Sequence, residues 1–352
     1  MLKKNHLARY FTISKIIFII LLLLNGLTII AAAASLISIG LLILSVLSIN
    51  VALVILLFVL MPKKTKSGYF NFLSSLPPSA QEKLRLAHDL KLALDHHELD
   101  IVYQPIIDLQ SGNIIELEAL MRWNHPKFGP ISPGKFIPIA EEMDLIETLG
   151  QWILIEACHQ SYRWKKAGFD LGICVNLSAL QLKSAILDTI ESALEETKLQ
   201  PQHLTLEITE TSLMKNSRRI KSLLKKIKLL GIKLALDDFG IGYSSLNYLK
   251  QFPFNKIKID KSFIDNLGQE PNAEAILSAI ITLSKKLGLS TIAEGVETRE
   301  QIYLLHERSC EQIQGFFFSN PLSAKEMTAF LEKNPNLWQM VTRPVAQAPE
   351  RG

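Results

Sequence analysis

The feature that most constrains this chain is a run of 47 residues, from 16 to 62, that contains no aspartate, glutamate, lysine or arginine. A single helix of that length would be about 70 Å long, whereas the hydrocarbon core of a bilayer is about 30 Å thick. Two crossings therefore fit, and one does not. We predict a transmembrane hairpin within residues 1–62, with spans at residues 14–35 and 41–61.

The charges that flank this run predict its orientation. No acidic residue precedes Glu82, and basic residues lie on both sides of the run: Lys3, Lys4, Arg9 and Lys15 before it, and Lys63, Lys64 and Lys66 after it. Under the positive-inside rule, both ends of the hairpin lie in the cytoplasm. A cleavable signal peptide ending near the Ala31 to Ser35 run is the alternative, and the second span would survive that cleavage.

The rest of the chain has a different balance of charge. Of the 38 basic and 34 acidic residues, 31 basic and all 34 acidic ones follow residue 81, so the high isoelectric point reflects the membrane flanks. Binding to duplex nucleic acid is therefore not expected. The three cysteines, Cys158, Cys174 and Cys310, are predicted to be reduced thiols in the core.

Composition and turn residues divide the chain after the hairpin. Residues 63–79 contain the Pro77-Pro78 pair and are predicted to be a juxtamembrane linker. Ser79 and Glu82 have the spacing of a capping box at the start of a helix. Residues 80–340 are predicted to form one folded domain, and residues 341–352 a disordered tail.

Short strand-like runs alternate with longer helical patterns along the domain. The eight runs are Ile101 to Asp108, Asn113 to Trp123, Gly172 to Ser178, His203 to Thr209, Ile232 to Asp238, Phe254 to Asp260, Ser290 to Val296 and Gln312 to Phe318. The first two are joined by a short turn at Ser111-Gly112, which predicts an antiparallel hairpin. The later ones are separated by helix-length segments, which predict parallel strands. The fold class is therefore α/β, a (β/α)8 TIM-like barrel with one antiparallel strand.

Reading each strand with period two places its polar residues on the inward face of the barrel. Six oxygen-bearing side chains then gather near the strand ends: Glu118, Asn176, Glu207, Asp237, Asp238 and Glu294. So many acids need a counter-charge, and oxygen ligands without cysteine or histidine predict magnesium or manganese and disfavour zinc. The adjacent Asp237 and Asp238 are suited to bridging two ions.

Two basic residues have positions that fit this site. The alternation of its strand places Lys258 on the inward face of the barrel, where it can hold a water or a phosphate oxygen. The alternative is an outward, solvated lysine. Arg122, four residues after Glu118, is a natural phosphate ligand, and the alternative is a surface ion pair.

These residues belong to motifs that resemble the EAL-domain cyclic-di-GMP phosphodiesterases, over about residues 84–335. The motifs are Tyr103-Gln104-Pro105, the run from Glu118 to Pro126, Asn176-Leu177-Ser178, Glu207-Ile208-Thr209-Glu210, the run from Asp237 to Leu246, Lys258-Ile259-Asp260, the run from Ala293 to Thr298, and Gln314-Gly315. Among small departures, Asp144 lies where the family usually has glycine, and Phe316 where tyrosine is common.

The resemblance implies a bacterial enzyme that hydrolyses cyclic di-GMP to linear pGpG with two magnesium or manganese ions. It implies that Glu118, Asn176, Glu207 and Asp237 bind one metal and that Asp237 and Asp238 serve the second. Lys258 and Glu294 would act with Glu118 in catalysis by orienting and activating water. Gln104, Arg122 and Gln314 would contact the substrate, and Glu210 would support the loop after Asp238. The family also implies a homodimer.

Two other functions remain open at this stage. The chain could be a catalytically silent cyclic-di-GMP receptor that signals through its membrane hairpin, or a membrane scaffold whose barrel binds a protein. Degenerate relatives lose the first glutamate of the signature, an acid of the aspartate pair or the lysine. This chain retains Glu118, Asp237, Asp238 and Lys258, which favours an enzyme. We expect a multi-pass protein of the bacterial inner membrane with its catalytic domain in the cytoplasm.

Overall fold

The computed structural model describes residues 77–213, 217–240, 249, 251–265, 267, 271–338 and 341. It divides the chain after Gln81 into two units, and the barrel belongs to the second. The predicted hairpin at residues 1–62, residues 63–76 of the predicted linker and residues 342–352 of the predicted tail lie outside the described residues. Within the described ranges, no helix combines the length and the apolar character needed to cross a bilayer.

The described strands alternate with helices along the chain. The strands are β1 Leu99–Asp108, β2 Ile114–His125, β3 Gly129–Ile131, β4 Gly172–Asn176, β5 Leu204–Thr209, β6 Lys233–Phe239, β7 Lys256–Ile259, β8 Ser290–Ala293, β9 Gln312–Ile313 and β10 Leu322–Ser323. The α-helices are α1 Pro78–Ala93, α2 Pro133–Glu142, α3 Ile146–Lys166, α4 Ala185–Thr197, α5 Glu210–Leu213, α6 Ser217–Leu229, α7 Ser262–Asp265, α8 Pro271–Lys286, α9 Arg299–Glu307 and α10 Ala324–Lys333.

Eight of these strands form a closed barrel in the order β1-β2-β4-β5-β6-β7-β8-β9, with β9 returning to β1. β1 pairs antiparallel with both β2 and β9, whereas the pairs from β2 and β4 round to β8 and β9 are parallel. The predicted barrel with one reversed strand is therefore confirmed. In this ring β2 and β7 lie opposite each other, separated by three strands in either direction.

The alternation within the strands places two kinds of side chain on the two faces of the sheet. In β5, Leu204, Leu206 and Ile208 are buried in the apolar layer beneath the helices. The side chains between them point into the barrel, where Thr205 donates to Glu116. The three cysteines are buried free thiols, as predicted.

Three local features differ from the sequence-based expectation or explain a departure. The capping box at Ser79 is wrong, because α1 begins earlier, at Pro78, a residue suited to the first helical turn. The short strands β3 and β10 were not predicted, since two or three residues carry no readable periodicity. Asp144, which lies where the family usually has glycine, has a φ of 55°. This left-handed backbone conformation is one that glycine adopts without strain, which explains why glycine is common at this position.

Candidate active site

Lys258 lies at the centre of a group of acids inside the barrel. Its β7 strand is buried throughout, and the lysine is 1% exposed. Nζ lies 2.7 Å from Glu207 Oε2 and from Glu294 Oε1, and 3.3 Å from Glu118 Oε2 and from Asp237 Oδ1. We call Lys258 and these four acids the upper layer. Lys258 thus points inward, and the alternative of a solvated lysine is wrong.

One ammonium group does not balance the charge of the upper layer. Burial lowers the pKa of Lys258, but the surrounding carboxylates outweigh burial and hold it well above its usual value. Burial and the neighbouring Glu118 carboxylate raise the pKa of Glu207 well above its usual value. Burial is also the main reason that the pKa of Glu294 rises to about 7, against the opposing effect of Lys258. The acids compete for too little positive charge.

Some oxygen atoms of this layer have no hydrogen-bond donor. Among the described residues, Glu207 Oε1 and Asp237 Oδ1 are buried without such a partner, although Asp237 Oδ1 is within ion-pair distance of Lys258. Burying a carboxylate oxygen without a donor is costly, so these atoms have unused capacity to bind a cation.

Three acids at the mouth of the barrel lie close enough to share a cation. Asp237, Asp238 and Glu294 each offer one oxygen, and these oxygens lie within 4.8 Å of one another. Neighbouring residues in a regular strand point to opposite faces. Here Asp238 has a φ of 55°, and the pairing of β6 with β7 shifts register between Leu236 and Phe239. This irregularity explains how oxygens of both aspartates come close to each other and to Glu294.

The rest of the predicted metal-ligand set is differently engaged. Glu118 accepts hydrogen bonds from Asn176 Nδ2 and Gln314 Nε2, each at 2.7 Å, as well as from Lys258. Burial raises the pKa of Glu118, but Lys258 and these amides outweigh it, so the pKa lies below its usual value. The possible metal-ligand atoms of the whole set are carboxylate and amide oxygens, which magnesium and manganese prefer. The oxygens of Glu207 and Asp237 that lack a hydrogen-bond donor also fit such an ion.

The predicted substrate contacts lie beside Glu118. Gln104 faces Glu118 across the β1–β2 pair, and Gln314 Nε2 donates to Gln104 Oε1 at 3.0 Å. Both glutamines are buried, and Gln314 Oε1 has no partner among the described residues. Arg122 is half-buried and donates to the Met121 carbonyl at 2.9 Å. No carboxylate of the described residues pairs with Arg122, so the surface ion pair considered above is not found.

Glu210 is buried at the start of α5, which packs beside β5 and β6. Its predicted role in supporting the loop after Asp238 stays a prediction, because residues 241–248 of that loop lie outside the described residues.

A second polar group lies deeper in the barrel and was not predicted from the sequence. Glu116 forms an ion pair with Lys256 and accepts from Thr205 Oγ1 at 3.1 Å, while Lys256 Nζ also donates to Gln312 Oε1 at 3.1 Å. Lys233 Nζ lies 3.6 Å from Glu116 at the edge. We call Glu116, Lys256, Thr205 and Gln312 the lower layer.

The signal for the lower layer was present in the strand alternation. Glu116 lies two residues before Glu118, and Lys256 two residues before Lys258, so each pair points to the same face of its strand. Because β2 and β7 are opposite in the ring, both ion pairs cross the barrel interior.

Comparisons with known proteins agree with this geometry. The family described as EAL domain matches residues 87–321. The bifunctional diguanylate cyclase/cyclic di-GMP phosphodiesterase MucR of Pseudomonas aeruginosa is 42% identical over 266 residues, which cover 75% of this chain and 39% of MucR. The cyclic di-GMP phosphodiesterase NbdA of the same organism is 39% identical over 254 residues, covering 72% of this chain and 32% of NbdA. The chain thus spans well under half the length of these relatives.

A solved structure, that of the PaMucR phosphodiesterase in complex with c-di-GMP, has a similar fold. It is 42% identical, with a TM-score of 0.67, and the match covers 69% of this chain and 99% of the solved one.

Proposed function

The chain belongs to the EAL domain family, and from this premise we propose that it hydrolyses one phosphodiester bond of cyclic di-GMP to give linear pGpG. The observation that carries the proposal is the upper layer, in which four acids, each in or directly after a different strand, surround a buried lysine. The active sites of α/β barrels lie at the carboxyl-terminal ends of the strands, where these acids are found. The names of the relatives supply the substrate.

The site is proposed to act with two magnesium or manganese ions. Glu118, Asn176, Glu207 and Asp237 would hold one ion, and Asp237 with Asp238 would serve the second. When bound, such ions polarise a phosphoryl oxygen and lower the pKa of a water. The orphaned oxygens of Glu207 and Asp237 and the clustered acids support this assignment.

The protein's own groups have distinct proposed roles. Glu294 accepts the proton of the attacking water, because a carboxylate with a pKa of about 7 is a suitable base near neutral pH. Lys258 Nζ, 2.7 Å from Glu294 Oε1, fixes the orientation of that carboxylate. Arg122 binds a phosphate of the substrate through its guanidinium group, which no described carboxylate occupies. Gln104 and Gln314 contact the substrate, and Gln314 Oε1 is the amide atom free to do so.

The experiment is incubation of the purified full-length chain with cyclic di-GMP and magnesium or manganese, with linear product followed by chromatography. We expect pGpG in the presence of either ion, none after EDTA, and none from the Glu118→Ala variant. Tight binding of cyclic di-GMP without any product would contradict the proposal and establish the silent receptor instead.

We further propose that residues 1–62 form a two-helix hairpin that holds the barrel at the cytoplasmic side of the bacterial inner membrane. The uncharged run of 47 residues and its basic flanks support this proposal. A cysteine introduced at Gly40 should react in intact cells with a membrane-impermeant reagent, and one at Ser67 should not. Labelling at Ser67 from outside would contradict the topology.

The homodimer implied by the family resemblance is also a proposal. Light scattering of the purified chain should give twice the mass of one chain, and a single-chain mass across the working concentration range would contradict it.

A further inference from the structure

Helix α6, outside the barrel, has an unusual charge pattern. Its 13 residues, from Ser217 to Leu229, contain six basic residues and no acidic residue. Because like charges three and four residues apart on a helix repel each other, this sequence weakens the isolated helix. The residues after 81 carry more acidic than basic side chains, so the pattern is local and not a property of the domain.

The apolar residues of α6 determine which side faces solvent. Ile220, Leu223, Leu224 and Ile227 recur at helical spacing and are buried in the core of the domain. The helix is therefore held in one rotation about its axis. The opposite side must face away from the barrel.

The outward side of α6 is almost entirely basic. Its exposed residues are Arg218, Arg219, Ser222, Lys225, Lys226, Lys228 and Leu229, which we call the basic face. Lys228 Nζ donates to the Pro253 carbonyl at 3.0 Å. Among the residues that the structure describes, no carboxylate forms an ion pair with any residue of this face.

The basic face ends in an exposed leucine. Leu229 is 85% exposed, more than any other large apolar side chain of the described residues. Helices that rest in the headgroup region of a bilayer combine basic residues with exposed apolar side chains. The basic face of α6, with its exposed leucine, has the same combination. Aromatic side chains, on which single-stranded nucleic acids stack, are missing from the basic face, and this favours lipid over nucleic acid.

We propose that the basic face of α6 docks on the anionic surface of the membrane. The inference rests on the proposed membrane hairpin, because a tethered barrel meets the lipid at high effective concentration and even weak attraction then suffices. The 15 residues from 63 to 77, before α1, have a maximum reach of about 50 Å, which is enough chain for the barrel to turn α6 toward the bilayer. Docking fixes the orientation of the barrel without touching the upper layer.

The test uses the full-length chain in vesicles, with an environment-sensitive dye on a cysteine introduced at Ser222. The native cysteines are buried, so labelling is directed to the new site. Vesicles contain either phosphatidylcholine alone or a mixture with phosphatidylglycerol. We expect a blue-shifted emission only with the anionic mixture, and loss of the shift at high salt.

Two matched variants separate the basic face from charge in general. Replacing Arg218, Arg219, Lys225 and Lys226 by glutamine should reduce the dye response at least about tenfold, since each basic side chain contributes to attraction at the surface. Replacing the exposed Lys91, Lys127, Lys285 and Lys286 by glutamine should leave it unchanged. Thermal unfolding of both variants checks that the barrel is intact.

The outcomes are distinct. An equal response in neutral vesicles, or in the first variant, overturns the docking proposal, as does a larger response to added transfer RNA than to anionic vesicles. Retention of the chain by neutral vesicles after alkaline washing reports the hairpin alone. Loss of that retention would contradict the anchoring proposal. The difference in dye emission between anionic and neutral vesicles would still decide whether the basic face docks.

Discussion

Each of the two polar layers inside the barrel has a buried lysine on β7 paired with a glutamate on β2, but the two layers differ in their balance of charge. In the lower layer, Glu116 is paired with Lys256 across the barrel and supported by Thr205 and Lys233. In the upper layer, Lys258 faces four acids. The lower layer is neutralised from within the chain, whereas the upper layer needs positive charge from outside.

Hydrogen bonding follows the same division. The described residues contain four buried side-chain polar atoms without a hydrogen-bond partner, and three of them, on Glu207, Asp237 and Gln314, belong to the upper layer or contact it. None lies in the lower layer. A fully satisfied buried network rigidifies a fold, while an unsatisfied one costs stability and persists where function needs it. We therefore interpret the lower layer as structural and the upper layer as the binding site.

The largest expected effect follows from removing the central lysine. Lys258→Gln should lower kcat about 10³-fold while changing KM much less, because the proposed role of Lys258 is to orient the base that activates water. Steady-state hydrolysis of cyclic di-GMP measures both constants, and the exposed Lys285→Gln variant is the matched control. An unchanged kcat with a raised KM would make Lys258 a substrate ligand.

Breaking the lower layer should affect stability instead. Lys256→Met leaves the buried Glu116 without its main counter-charge and should reduce the free energy of unfolding by about 3 kcal/mol. The double variant Glu116→Gln/Lys256→Met removes both charges and should recover at least half of that loss. Lys233→Met, at a partly exposed position, should have little effect. Urea unfolding measures all three, and no recovery in the double variant would contradict a simple ion pair.

Cations should stabilise the upper layer in a pH-dependent manner. Burial raises the pKa of Glu294 to about 7 and that of Glu207 well above its usual value, so the folded state binds more protons than the unfolded state. Without divalent cations, stability is therefore highest below about pH 4.5 for these groups and is lost as the pH rises through about 7. The lowered pKa of Glu116 matters only at lower pH, where protonation removes its stabilising effect.

A magnesium concentration that is about 100 times the dissociation constant at about pH 8 should add about 2.7 kcal/mol for each bound ion. The same concentration should add less at about pH 5, because protonation of the acids weakens binding of the ion. Urea unfolding with EDTA or with magnesium at the two pH values measures this difference. Equal stabilisation at both would mean that the ion binds elsewhere.

The smallest effect gives the sharpest contrast between the layers. In EDTA at about pH 8, Glu294→Gln should stabilise the fold by about 1 to 2 kcal/mol, because it removes one of the competing charges. Glu116→Gln should destabilise the fold under the same conditions. Thermal unfolding compares the two variants, and destabilisation by both would remove the distinction between the layers.

Much of this architecture was predictable from strand alternation. The eight strands, the reversed first strand and the inward direction of Lys258 follow from period-two patterns and turn residues. The placement of Asp238 beside Asp237 does not, because it depends on a φ of 55° and a register shift that no local pattern indicates. The helix start at Pro78 was also missed, since the serine and glutamate spacing is a weaker signal than a proline at the first turn.

Which acid pairs with which lysine within each layer could not be predicted from the sequence, for a different reason. Glu116 and Lys256 are 140 residues apart in the chain and meet only because β2 and β7 are opposite in the closed ring. The alternation of side chains along a strand identifies which of them point inward but not which of them form pairs.

The most direct measurement is binding of manganese to the EDTA-treated protein, followed by the loss of the free-ion signal in electron paramagnetic resonance. We expect the wild type and Glu116→Gln to bind two ions, and Asp237→Asn to bind them at least tenfold more weakly, since Asp237 is proposed to serve both ions. Unchanged binding by Asp237→Asn, or its loss in Glu116→Gln alone, would contradict the claim that the upper layer is the cation site.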